Sequence, residues 1–234
     1  MKKFNNIKGV FFDLDGTLFD TAPEIIFATN QMLKDLDLQE LESDIIKSFI
    51  GKGADNLIRK SILYPSKEDS EALFKAARRL FDKYYILNAA QSLPYDGVEE
   101  ALIKLKKKKL TLACITNKPE IFTQAILEGS GLISYLDLVV SGDTVSKKKP
   151  DSMPLQYSCE TLELEPKEAI MVGDSCNDIE AGFSAGTYVV TVPYGYQYGQ
   201  SIESDKVDLA IENLNDLVTI INWENVYYSN KRTI

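Results

Sequence analysis

An apolar run ends in two carboxylates one residue apart in VFFDLDGTLFD, where Asp13 and Asp15 flank a leucine. An ionised carboxylate buried without a partner is costly, so the pair either caps a turn or shares a cation. Side chains alternate along a strand, and the two would share a face if the strand ran straight on. Gly16 follows directly, letting the backbone turn sharply and a ligand come close. Further polar groups stand in later stretches: Thr116 and Asn117 in ITNKP, Lys149 in SKKKPDSMPL, Asp174 and Asp178 in MVGDSCNDIEAG. Taken singly, each has a structural explanation: an acidic strand-to-turn junction, a β-favouring threonine, a surface lysine run, an acid at a helix start. The chain contains no histidine, which excludes histidine nucleophiles, Ser-His triads and histidine-bound metals and leaves carboxylate and lysine chemistry.

What must position these groups is a series of short β-rich runs, most followed by a helical pattern: KGVFFDLD, LTLACITN, DLVVSGD, EAIMVGD, TYVVTVP and DLAIEN. Near-continuous apolar strands alternating with helices predict an α/β fold, a doubly wound parallel sheet covered on both faces. Ligands of such sheets gather beyond the carboxyl ends of the strands. Asp13, Asn117 and Asp174 fall in or just after those ends.

The segment between the first two runs is longer than one crossover needs, and its pattern is helical. Pro23 stands near the start of a helix in TAPEIIFATNQMLKDLDL. Ser43 is expected to cap a second helix from about Asp44. A third is expected over Lys67–Ala90, with Leu73, Phe74, Ala77, Leu80, Phe81 and Tyr84 as one apolar stripe. The reading is a helical cap domain at 19–91, inserted into an α/β core built from 1–18 and 92–234.

A chain of 234 residues can bury a full core without disulfides. Its net charge of −9 argues against a nucleic-acid partner, and any anionic substrate would need locally supplied positive charge. The cysteines (Cys114, Cys159, Cys176) are too few and scattered for a disulfide framework, which makes a reducing cytoplasm the default location. No apolar stretch approaches the ~18 residues of a membrane span. The N-terminal MKKFNNIKGVFFDLDG breaks at Asp13 and does not read as a signal peptide. Both a monomer and a homodimer are compatible with this composition.

DLDGT resembles the first motif, D-x-D-G-T, of phosphatases in the haloacid dehalogenase superfamily. The resemblance implies a Rossmann-like core, with Asp13 as the nucleophile that forms an aspartyl-phosphate and Asp15 as general acid and base. ITNKP is similar to the second motif, which implies that Thr116 bonds a phosphoryl oxygen with Asn117 beside it. SKKKPDSMPL is similar to the third, which implies that Lys149 neutralises phosphate and nucleophile. MVGDSCND looks like the fourth, G-D-S-x-x-D, which implies Asp174 as a magnesium ligand supported by Asp178, directly or through water. Asp13 and the backbone carbonyl of Asp15 complete the implied metal site. Mg²⁺ prefers oxygen ligands and suits a site without histidine. The ion and one lysine would then supply the local positive charge that an acidic protein otherwise lacks. Because Asp15 must hold a proton before it can give one, its surroundings are expected to raise its pKa.

SFIGKGADNLI resembles the substrate loop of bacterial phosphoglycolate phosphatases, where Gly51 and Gly53 permit close backbone approach and Lys52 would meet a small carboxylate. FDTAPEI, SGDTVSKKKPDSMPL and TVPYGYQYGQSIESDKVDLAIENLNDL are similar to that family as well. The implied substrate is a small phosphorylated metabolite, 2-phosphoglycolate, released as glycolate and phosphate, with no nucleic-acid or membrane partner. Phosphatases of sugar phosphates, nucleotides or pyrophosphate, and β-phosphoglucomutases, share the implied architecture. A dehalogenase needs no magnesium and lacks the second acid of D-x-D. A phosphate-binding module would not need Asp13, Asp15, Lys149 and Asp174 together.

Overall fold

All six β-rich runs form strands in the computed structural model, which describes residues 3–67, 70–196 and 204–222. They are β1 (Gly9–Phe12), β4 (Thr111–Ile115), β5 (Leu138–Val140), β6 (Ala169–Gly173), β7 (Tyr188–Thr191) and β8 (Leu209–Ala210). Every pairing is parallel, in the order β5-β4-β1-β6-β7-β8, so β1 is buried between two neighbours. The register sets Gly9 beside Thr111 on one side and Ala169 on the other.

Alternation along β1 sends Phe11 to one face of the sheet and Val10 and Phe12 to the other. Phe11 packs with Ala113, Met171 and Leu155 in a small cluster beneath α7 (Met153–Thr161) and α8 (Cys176–Ala185). Val10 and Phe12 join a larger cluster that includes α5 (Val98–Lys107), α6 (Glu120–Gly129) and α9 (Leu217–Ile220). That cluster continues through Met32, Phe81 and Tyr85 into the helices that follow β1.

Two short antiparallel strands, β2 (Phe19–Asp20) and β3 (Leu93–Pro94), carry the chain out to those helices and back. Between them lie α1 (Ala22–Asp35), α2 (Ser43–Lys47), α3 (Ala54–Ser66) and α4 (Glu71–Ala89). Pro23 sits in the first turn of α1, where a missing N–H costs nothing. Ser43 is the first residue of α2 and not its cap; the extended residue before the helix is Glu42. The third expected helix starts later, at Glu71, where Ser70 accepts the Leu73 N–H at 3.2 Å. Its deepest side chains are Ala77, Phe81, Tyr85 and Ala89, one stripe rotated slightly from the expected one. Helix α3 was not anticipated. Pro65 reads as a helix breaker but stands one residue from its end, where the helix was stopping anyway. The expected similarity over 197–203 lies outside the described residues. No helix among the described residues is long and apolar enough to cross a membrane.

Candidate active site

Asp13, Thr116 and Asp174 are each the first residue after the carboxyl end of a strand: β1, β4 and β6. Those strands are adjacent, so residues far apart in sequence converge. The ladder continues one step past each of two strands, with Asp13 N–H on the Val172 carbonyl and Thr116 N–H on the Val140 carbonyl, both at 2.9 Å. Gly16 then turns the chain at φ 85°, and a Cβ there would stand 2.4 Å from Asp174 Oδ2. Only glycine serves both the turn and the close approach.

Lys149 reaches into this convergence from the loop before α7. Its Nζ lies 2.9 Å from Asp13 Oδ1 and 2.6 Å from Asp178 Oδ1, and it donates to the Ile115 carbonyl at 2.5 Å. Burial alone would lower the pKa of this ammonium, but Asp13 and Asp178 outweigh it and hold the pKa above its usual value. Asp178 spends its other oxygen on Ser175, accepting the N–H at 3.0 Å and the hydroxyl at 2.6 Å. Asp178 therefore fixes the start of α8 and aims Lys149 in one move.

Asp13, Asp174 and Asp178 are buried, and their nearest carboxylate oxygens lie within 4.8 Å of one another. Lys149 is the ammonium paired with this cluster, and it leaves a surplus of negative charge. Burial, then Asp178, raises Asp13 to about 7 despite Lys149. Burial, then Asp178 and Asp13, also pushes Asp174 well above the usual carboxylate range. An under-neutralised all-oxygen cluster of this kind fits a hard divalent cation. Asp174 also accepts Thr17 Oγ1 at 3.3 Å.

Asp15 stands outside this cluster. Its carboxylate is turned away from the cluster, with Lys118 Nζ at 2.9 Å and Thr21 Oγ1 donating at 2.6 Å. The strand ends at Phe12, so Asp13 and Asp15 do not continue along one pleated face. Lys118 Nζ also sits 4.9 Å from the centre of the Tyr85 ring.

Asp13 and Asp15 line a cleft shared with Thr116, Asn117 and Lys118. Its walls are apolar: Ile25, Ile50, Leu57, Phe81, Tyr85 and Phe122. Gly51 and Gly53 line it through backbone at φ 100° and 85°. The Gly51 carbonyl accepts Asn117 Nδ2 at 3.0 Å and Asn177 Nδ2 at 3.2 Å, which fastens the helical insertion onto the sheet. Asn117 Nδ2 also donates to the Lys149 carbonyl at 2.8 Å. Asn117 Oδ1 is buried without a hydrogen-bond partner among the described residues. Lys52 is exposed and is not among the lining residues; the cation inside the cleft is Lys118.

Lys118, Tyr85 and Asn177 thus belong to the site although sequence reading gave them no role. For Lys118 a signal existed, since it is a lysine three residues past a strand end in ITNKP. Tyr85 and Asn177 carried none, because their place depends on how the insertion sits on the sheet.

Residues 10–192 match the model of the haloacid dehalogenase-like hydrolases. A phosphoglycolate phosphatase of Nitrosospira multiformis is 41% identical over 218 residues, covering 92% of this chain and 96% of the relative. That of Escherichia coli K12 is 34% identical over 236 residues, covering 93% and 94%. A crystal structure described as a predicted phosphoglycolate phosphatase from Haemophilus somnus 129pt superposes with a TM-score of 0.88 at 35% identity, covering 92% of this chain and 98% of that one. With its strand-end acids meeting on adjacent parallel strands and relatives matched along nearly its whole length, this chain belongs to the haloacid dehalogenase-like hydrolase family.

Proposed function

We propose that the protein is a Mg²⁺-dependent phosphomonoester hydrolase that converts 2-phosphoglycolate to glycolate and phosphate. The observation that carries the substrate assignment is Lys118, a buried cation 2.9 Å from Asp15 in a cleft whose walls are largely apolar. With a phosphate seated at Asp13 and Lys149, a carboxylate on a very short substrate would share Lys118 with Asp15. The relatives named above support the same substrate.

Asp13 attacks phosphorus in line, forming a bond from its carboxylate oxygen as the bond to the leaving oxygen breaks. Asp15 gives that oxygen a proton. It then takes a proton from water, which attacks the aspartyl-phosphate and releases Asp13. Thr116 orients a phosphoryl oxygen, and Lys149 balances charge on nucleophile and phosphate. Asp13 and Asp174, with the Asp15 carbonyl and with Asp178 in support, would hold Mg²⁺, which when bound offsets the repulsion between carboxylate and phosphate. Phosphate monoesters are among the slowest compounds to hydrolyse unaided, so charge stabilisation and positioning must supply most of an acceleration of up to ~10²¹-fold. The helices at 22–89 act as the cap of this site, working in a reducing cytoplasm.

The test is a substrate panel with Mg²⁺ containing 2-phosphoglycolate, sugar phosphates, nucleotides and pyrophosphate. 2-Phosphoglycolate should show the highest kcat/KM. A clear preference for another ester would remove the substrate assignment and leave the hydrolase.

A further inference from the structure

The loop after β7 passes directly over Asp174. Tyr196 N–H donates to Asp174 Oδ2 at 2.5 Å. A Cβ on Gly195 would stand 2.3 Å from the same oxygen, so the loop can lie this close only as glycine. The phenol of Tyr196 reaches in another direction. It donates to Asp20 Oδ1 at 2.6 Å and accepts the N–H groups of Thr21 at 2.7 Å and Ala22 at 2.9 Å.

Asp20 ends β2, the strand by which the chain enters the helical insertion, and Ala22 begins α1. Tyr194 secures the same loop from its other side, donating to the Thr17 carbonyl at 3.1 Å. Its ring lies 4.6 Å from that of Tyr95, the first residue after the returning strand β3. One short loop therefore touches both crossings between sheet and insertion while resting on a carboxylate of the acidic cluster.

We propose that Tyr196 is a positioning residue that couples occupation of the Asp13–Asp174–Asp178 metal site to the placement of the inserted helices. When Asp174 turns to hold a metal, Tyr196 must follow its Oδ2 or lose that bond. Either way the three bonds of the phenol carry the change to β2 and the first turn of α1. Coupling of this kind is reciprocal: a seated insertion presents Asp174 pre-oriented and tightens the metal as much as the metal steadies the insertion.

Tyr196→Phe removes the phenol and keeps the backbone donor. The measurements are Mg²⁺ binding by calorimetry and amide hydrogen exchange over residues 19–24, with and without Mg²⁺. In the parent protein Mg²⁺ should slow exchange there. In Tyr196→Phe that slowing disappears and Mg²⁺ binds about fivefold more weakly, the low end of typical site-to-site coupling. Asp20→Ala should reproduce both changes, and the double variant should add little to either. Mg²⁺-dependent protection that survives intact in both variants overturns the inference. The inference rests on the metal reading proposed above. A parent protein that takes up no Mg²⁺ overturns both, whereas Mg²⁺ uptake with exchange at 19–24 unmoved overturns the coupling alone.

Discussion

Lys118 Nζ stands 2.9 Å from Asp15 Oδ1, and both side chains are almost wholly withdrawn from water. Burial would strip Lys118 of its proton, but Asp15 and then Tyr85 keep its pKa above the usual value. Lys118 is thus held charged beside Asp15 in the lining of the cleft.

Lys118→Met removes this cation while keeping most of its bulk. Activity on 2-phosphoglycolate should fall about a hundredfold or more, the scale of truncating one partner of a buried charge pair. Activity on p-nitrophenyl phosphate, which has no carboxylate, should fall far less. Steady-state kinetics on both esters decide it: equal losses would leave Lys118 as a partner of Asp15 alone.

Asp13 sets a pH dependence for the metal-free protein. Its pKa, raised to about 7 chiefly by burial, compares with about 3.9 for a free aspartate. Between those values the folded state holds a proton that the unfolded state has released, so stability is full near the lower pH and is lost as pH rises through the upper one. Asp174, also raised, acts in the same sense. Asp13→Asn should abolish turnover, flatten this slope and raise the melting temperature near neutral pH. Melting curves in a chelator across that range provide the check.

Mg²⁺ should stabilise the parent protein and restore what neutral pH removes. At a hundredfold excess over its dissociation constant a ligand adds about 2.7 kcal/mol, or roughly 5–10 °C in a chain of this size. Asp174→Asn should lose most of that shift, and EDTA should abolish parent activity reversibly. A melting temperature indifferent to Mg²⁺ would count against the cluster as a metal site.

Asn177 holds the Gly51 carbonyl at 3.2 Å from the first turn of α8. Asn177→Ala leaves that carbonyl to Asn117 alone. KM for 2-phosphoglycolate should rise several-fold with a smaller change in kcat, since the residue seats a binding loop and touches no reacting atom. An unchanged KM would mean that Asn117 suffices.

Much of this was legible in the sequence because the sheet announces itself locally. Each strand is a short apolar run, and Asp13, Thr116 and Asp174 sit one residue past such runs. Lys149 was legible through its motif. What could not be read were relationships made by packing: Tyr85 under Lys118, Asn177 on Gly51, Tyr196 between Asp174 and Asp20. Lys52, to which the resemblance assigns a small carboxylate, has its side chain exposed and outside the cleft lining, while Gly51 and Gly53 on either side of it line the cleft. That Lys118 meets Asp15 belongs with those packing relationships, since no local pattern brings a lysine from beyond another strand to it.

The placement of β1 has a consequence for how the protein folds. Gly9 must find Thr111 on one side and Ala169 on the other before Asp13 has either neighbour, and pairings between such distant segments are slow because long loops must close first. The helices between β2 and β3 close mostly shorter loops. During refolding, helical circular dichroism should therefore return before turnover does. Turnover in this protein therefore reports that β1 has both of its neighbours.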